Sequence, residues 1–160
     1  MAVFEISTTY QQDDISISTS FKGFMTLDEK NNEIRGYMET LSPFVQPVKR
    51  YIYGLYERDK NVLAYLQLSN NKNLVPLMFI FYNIQHPGIW SSYDEDLATF
   101  FPFRSFNGRC QVELKEITIP ADVERISRNV FSTFAESSDL MSNIILIYKG
   151  VQPYMDLGLQ

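Results

Sequence analysis

The stretch that decides the fold is residues 48–83, VKRYIYGLYERDKNVLAYLQLSNNKNLVPLMFIFYN. Runs rich in Tyr, Ile, Leu and Val at Val48–Glu57, Val62–Leu68 and Leu74–Asn83 are separated by the polar clusters Arg58-Asp59-Lys60-Asn61 and Ser69–Asn73. Such runs read as strands and such clusters as turns. Turns this short can only reverse the chain, because a parallel return needs a crossover of about a dozen residues. The stretch is therefore predicted to be an antiparallel meander. Hydrophobicity does not separate the faces of its first strand, since Arg50, Ile52, Gly54 and Tyr56 alternate with the equally mixed Lys49, Tyr51, Tyr53 and Leu55. Both faces are expected to be partly covered.

On the N-terminal side, Val3–Ser7 is expected to be a short strand, with Thr8–Asp14 as a turn or loop. Ile15–Leu27 is the clearest strand in the chain. Its odd-numbered residues Ile15, Ile17, Thr19, Phe21, Gly23, Met25 and Leu27 alternate with Ser16, Ser18, Ser20 and Lys22. The odd positions are assigned to the core, because buried polar groups without partners are costly. Gly23 marks a bulge or a close backbone approach where a long strand bends. Asp28–Asn32 is a turn, and Glu33–Leu41 returns with Ile34, Gly36 and Met38 on one face. Ser42-Pro43 and Gln46-Pro47 then punctuate the chain.

On the C-terminal side, Gln85-His86-Pro87-Gly88 has turn composition. Ser92 with Glu95 forms a capping box, and Asp94 and Asp96 suit a first helical turn, predicting a short helix over Tyr93–Phe101 that Pro102 stops. Phe100, Phe101, Phe103 and Phe106 are expected to plug one end of the fold. Asn107-Gly108 is a turn signal, and Arg109–Ile119 a strand with Val112 and Leu114 opposed to Gln111, Glu113 and Lys115. Val123, Ile126, Val130, Phe131 and Phe134 recur at helical spacing after Pro120, predicting a helix over Ala121–Glu136 that packs outside the sheet. Asn143–Lys149 reads as the last strand, and residues 150–160 as a loosely ordered tail.

The 160 residues fit one domain spanning 1–160, long enough to bury a core without staples. The 12 Phe and 10 Tyr favour β structure over a helical bundle. A net charge of -5 argues against a nucleic-acid partner and an anionic lipid surface, both of which need clustered Lys and Arg. The longest apolar run, Val75–Tyr82, is one strand long, so no membrane insertion is expected. A single cysteine excludes an internal disulfide, and an acidic chain whose first residues lack a basic, apolar leader pattern is expected in the cytoplasm.

Candidate chemistry is sparse. His86, before a proline in a turn, reads as an exposed loop residue, and Cys110 as a small buried hydrophobe. Asp94-Glu95-Asp96 lacks the spacing of a calcium loop and is explained by the helix start. There is no phosphate loop, nucleophile elbow or zinc spacing. No catalytic residue, metal site or cofactor is therefore assigned. The aromatics remain: Tyr51, Tyr53, Tyr56, Tyr65, Phe79, Phe81 and Trp90 are the candidate ligand-binding residues, with plain core packing as the competing explanation.

Some eight strands joined mainly by hairpin-length connections give a mainly β, antiparallel up-and-down barrel, which closes its own edges. The layout is similar to the calycin superfamily of lipocalins and avidins, eight-stranded meanders with a helix packed outside. The similarity is one of strand order. Trp90 follows Gly88-Ile89 in mid-chain, whereas the lipocalin Gly-x-Trp motif lies on the first strand, so no family residue is carried over. The leading expectation is a binding protein whose barrel holds a small, partly apolar or aromatic ligand, since small eight-stranded barrels are either filled by side chains or hold one ligand. The alternative is an interaction or structural module with a filled core, in which a sheet face or edge would pair with another chain, a second copy of this one included. An enzyme ranks third.

Overall fold

The computed structural model describes residues 2–12, 18–40, 48–69, 71, 73–92, 106–117, 141–142 and 144–149. Its strands are β1 Ala2–Gln12, β2 Ser18–Asp28, β3 Glu33–Thr40, β4 Lys49–Glu57, β5 Val62–Leu68, β6 Leu77–Phe81, β7 Gly88–Ser92 and β8 Phe106–Ile117. Each pairs antiparallel with its neighbours in sequence, and β1 closes the sheet on β8 with Ile6 opposite Leu114. The result is an up-and-down barrel of eight strands, calycin-like in layout, in which none of the described strands is left at a free edge.

The central meander is as expected, formed by β4, β5 and β6. Its first turn is a single 3-10 turn, Arg58–Lys60, followed by Asn61 at φ 58°. Asn32, at φ 61°, plays the same part after β2. Asparagine tolerates this left-handed region better than other residues with a side chain, so these polar clusters turn sharply without glycine.

Where one strand face meets water, alternation reads correctly. In β2, Phe21, Met25 and Leu27 are buried and Lys22 is exposed, and in β3 Ile34 and Met38 are buried. Gly23 serves close approach, since a Cβ there would lie 1.8 Å from the Tyr37 carbonyl oxygen while the pairing on both sides stays in register.

Several expectations need correction. β1 does not stop at Ser7, and the segment expected as a loop continues the strand to Gln12. Thr8 is tolerated inside because its hydroxyl shares a 2.5 Å hydrogen bond with that of Tyr65. β7 was not anticipated, its run Gly88–Ser92 being short and ending in two serines. Asn107-Gly108 is strand and not turn. A Cβ at Gly108 would meet the Gln11 carbonyl oxygen at 2.2 Å, so here the glycine answers close packing of β8 on β1. The expected final strand Asn143–Lys149 is a helix, α1, over 141–142 and 144–149. Ile144, Ile147 and Tyr148 share one helical stripe and are buried. The predicted helices Tyr93–Phe101 and Ala121–Glu136 lie outside the described residues, as do Ile15, Ile17, Leu41, the two proline punctuations and the 150–160 tail.

Two separate cores result. The interior cluster includes Phe4, Ile6, Phe21, Ile52, Leu63, Phe79 and Phe81. The outer cluster sets α1 against the outward side chains of β4, β5 and β6, with Ile144, Ile147 and Tyr148 on Tyr53, Leu55, Ala64, Leu66, Met78 and Ile80. Tyr82 adds a 2.7 Å hydrogen bond from its hydroxyl to the Tyr148 carbonyl, and the two rings stack. The sheet is thus covered on both faces along β4 to β6.

Candidate functional site

The interior changes character along the barrel axis. Near the turns at 29–32 and 58–61 the inward side chains are apolar, including Phe4, Leu27, Ile34 and Leu63. Toward the opposite end, β1 contributes Thr8 and Tyr10, β4 Arg50, and β5 Tyr65 and Gln67. They sit among Phe21, Met38, Phe79 and Trp90. Each lies on the inward phase of its strand, so the alternation that builds the core also delivers the polar groups.

Tyr10 is central to this end. Its ring lies 5.8 Å from Phe21, 5.6 Å from Phe79 and 4.4 Å from Trp90. Trp90 is fixed by a 3.0 Å bond from its indole N–H to the Gln11 carbonyl. Tyr65 stacks on Phe79 at 5.1 Å. Burial raises the phenol pKa of Tyr10 against the opposing pull of Thr19 and Arg50. For Tyr65, wholly buried, burial outweighs the hydrogen bond shared with Thr8 and the influence of Gln67 and pushes the pKa far up, so the phenol stays neutral.

Arg50 is the unusual member. It is 8% exposed and, among the described residues, the only charged side chain in the buried set. Its Nη1 donates to the Val75 carbonyl at 2.8 Å, and its guanidinium carbon lies 5.9 Å from the Phe21 ring centre. Its Nε is buried with no acceptor. Burial lowers the Arg50 pKa, with Tyr10 opposing, yet a guanidinium remains protonated in proteins. One carbonyl compensates little of such a charge, and an unmet hydrogen bond of a charged group costs more than the roughly 1–3 kcal/mol of a neutral one. Gln67 is the second incomplete group. Its Nε2 meets the Met38 sulfur at 3.5 Å, while Oε1 has no donor. Met38 is also the ladder partner of Arg50, which places both unmet atoms at the same end.

Of the residues singled out from the sequence, Tyr56, Tyr65, Phe79, Phe81 and Trp90 belong to the interior cluster. Tyr53 belongs to the outer cluster beneath α1, and Tyr51 shares its outward phase on β4. The structure therefore divides the set between two faces. Sequence reasoning missed Tyr10, assigned to a loop, and did not single out Arg50, Gln67 or Thr8. The available signal was the run Phe4, Ile6, Thr8, Tyr10, which keeps a two-residue period beyond the expected strand end.

Elsewhere, Cys110 is buried and its thiol pKa is pushed up by burial, as befits an inert side chain. His86 is exposed in the turn between β6 and β7. A groove of about 340 Å³ opens there on the barrel exterior, lined by His86, Gln85 and the outward Ser7, Thr9, Gln111 and Glu113. Among the described residues no three His, Cys, Asp or Glu side chains are grouped to hold a metal ion. No helix among them is long and apolar enough to cross a membrane. Comparison with protein-family models, curated proteins and solved structures finds no match.

Proposed function

We propose that the protein is a binding protein whose barrel interior takes one small, partly apolar or aromatic ligand. Small eight-stranded barrels either fill their interior with side chains or hold one such ligand. The observation that carries the reading is the mixed end of the interior, where the clustered rings of Tyr10, Phe21, Phe79 and Trp90 share the barrel end with Arg50 and Gln67, each of which has one buried polar atom left unmet. A core shaped for stability alone satisfies its polar atoms or omits them. Tyr56, Tyr65, Phe79, Phe81 and Trp90 would supply ring faces and hydroxyls to the ligand, and Tyr51 and Tyr53 would not touch it.

The alternative, an interaction module built on a sheet face or edge, draws less support. Barrel closure leaves no edge, and α1 covers the apolar outer face of β4 to β6. A cytoplasmic, acidic carrier acting without a cofactor fits the composition.

The test is titration of straight-chain fatty acids and small aromatic compounds, followed by Trp90 fluorescence and by calorimetry. Saturable binding tighter than about 10 μM, roughly 7 kcal/mol, that Phe79→Leu weakens without loss of fold is the expected result. Absence of saturable binding across the panel would leave the filled-core module as the better account.

A further inference from the structure

We propose that the ligand carries a single carboxylate and that Arg50 is the residue that receives it. This rests on the carrier reading above and specifies its chemistry. Arg50 is more than nine-tenths buried, and among the described residues no carboxylate side chain pairs with it. Its one hydrogen bond uses Nη1, while Nε has no acceptor. Nε and the neighbouring Nη2 form the edge of a guanidinium that accepts a carboxylate side-on through two parallel hydrogen bonds.

The charge balance indicates a monoanion. Arg50 is the sole charged member of the buried set among the described residues, and its polar companions Thr8, Tyr10 and Gln67 are neutral. A carboxylate matches one positive charge, whereas a phosphate monoester would bring nearly two negative charges into a site with one cation. The surroundings suit the rest of such a molecule. Phe21 lies against Arg50 and Tyr10 against Phe21 and Trp90, so an acyl chain or ring leaving the carboxylate would pass directly onto aromatic surface. Gln67 adds an unpaired acceptor at the same end for a hydroxyl on the ligand. A purely structural Arg50, tying β4 to Val75, accounts for Nη1 and leaves Nε unexplained.

The experiment compares decanoate with decan-1-ol, and 3-phenylpropionate with 3-phenylpropan-1-ol, at pH 7.5 by Trp90 fluorescence and calorimetry. Wild-type protein should bind at least one carboxylate about 10-fold or more tighter than its alcohol, the factor expected of a charge-assisted pair. Arg50→Met should bring that ratio to about one, and Arg50→Lys, which keeps the charge, should retain part of it. Far-UV circular dichroism and thermal melting establish that each variant is folded, and Arg50→Lys serves if Arg50→Met is not. Equal binding of acid and alcohol by the wild type would overturn the role of Arg50 and leave the carrier reading standing. So would an acid preference that survives in Arg50→Met. Failure of all four probes to bind would overturn both.

Discussion

Phe21 shows how far a single position can be read and what its neighbours add. Alternation with Ser20 and Lys22 places it inward, and it is 2% exposed. Its surroundings are not legible, because Tyr10 falls where the sequence predicts a loop and Arg50 on a run whose two faces hydrophobicity does not separate. Phe21→Ala should cost about 3–5 kcal/mol, the range for a buried aromatic. Urea titration measures this, and a loss within about 0.5 kcal/mol, typical of a surface site, would remove Phe21 from the core. The interior site was hidden for a related reason. A polar residue on the inward phase looks like a break in the hydrophobic pattern, so Thr8 and Arg50 weaken the very signal that would locate them. Contacts across the barrel show that they face inward, Thr8 to Tyr65 over 57 positions of sequence and Arg50 to the Phe21 ring.

At the scale of elements, legibility follows solvent. β2 and β3 each turn a polar face to water and read cleanly, as does β8 from Arg109 onward. β4 does not, because Arg50, Ile52 and Tyr56 fill the barrel while Tyr53 and Leu55 lie beneath α1. The same outer cover explains the unbroken burial of β6. α1 itself was misread, since Ile144-Ile145-Leu146-Ile147-Tyr148 is β-branched and aromatic enough to pass for a strand. Short apolar runs do not distinguish the two states by period, and here packing against the sheet decides. The stripe makes a sharp prediction. Ile147 is 2% exposed and Leu146 56%, so Ile147→Ala should cost about 2–5 kcal/mol and Leu146→Ala less than about 0.5 kcal/mol. Equal losses in denaturant titration, or amides of residues 144–149 exchanging as fast as free peptide, would contradict a docked helix.

For the whole molecule, closure of β1 on β8 removes Tyr65 and Cys110 from water, and this ties stability to alkaline pH. Burial raises the pKa of both groups above its ordinary value, making each a weaker acid. Below the unfolded value, about 8.5 for a thiol and about 10 for a phenol, both states keep the proton and the contribution to stability is complete. Above it the unfolded chain releases a proton that the folded barrel retains. Stability then falls by about 1.4 kcal/mol per pH unit for each such group, until the folded pKa is reached. The urea midpoint of the wild type should therefore begin to fall near pH 9 and fall more steeply beyond about pH 10. Exposed pairs such as Lys22 with Glu5, where the lysine pKa is raised by the carboxylate, also weaken in this window. Tyr65→Phe separates the contributions, because it leaves the surface pairs intact and should remove about one proton's worth of slope above pH 10. Absorbance near 295 nm gives a second readout, with fewer phenolates formed in the native protein at pH 10.5 than in the urea-unfolded chain. A stability profile flat from pH 8 to pH 11, or a Tyr65→Phe slope equal to that of the wild type, would mean that Tyr65 is not sealed inside a closed barrel.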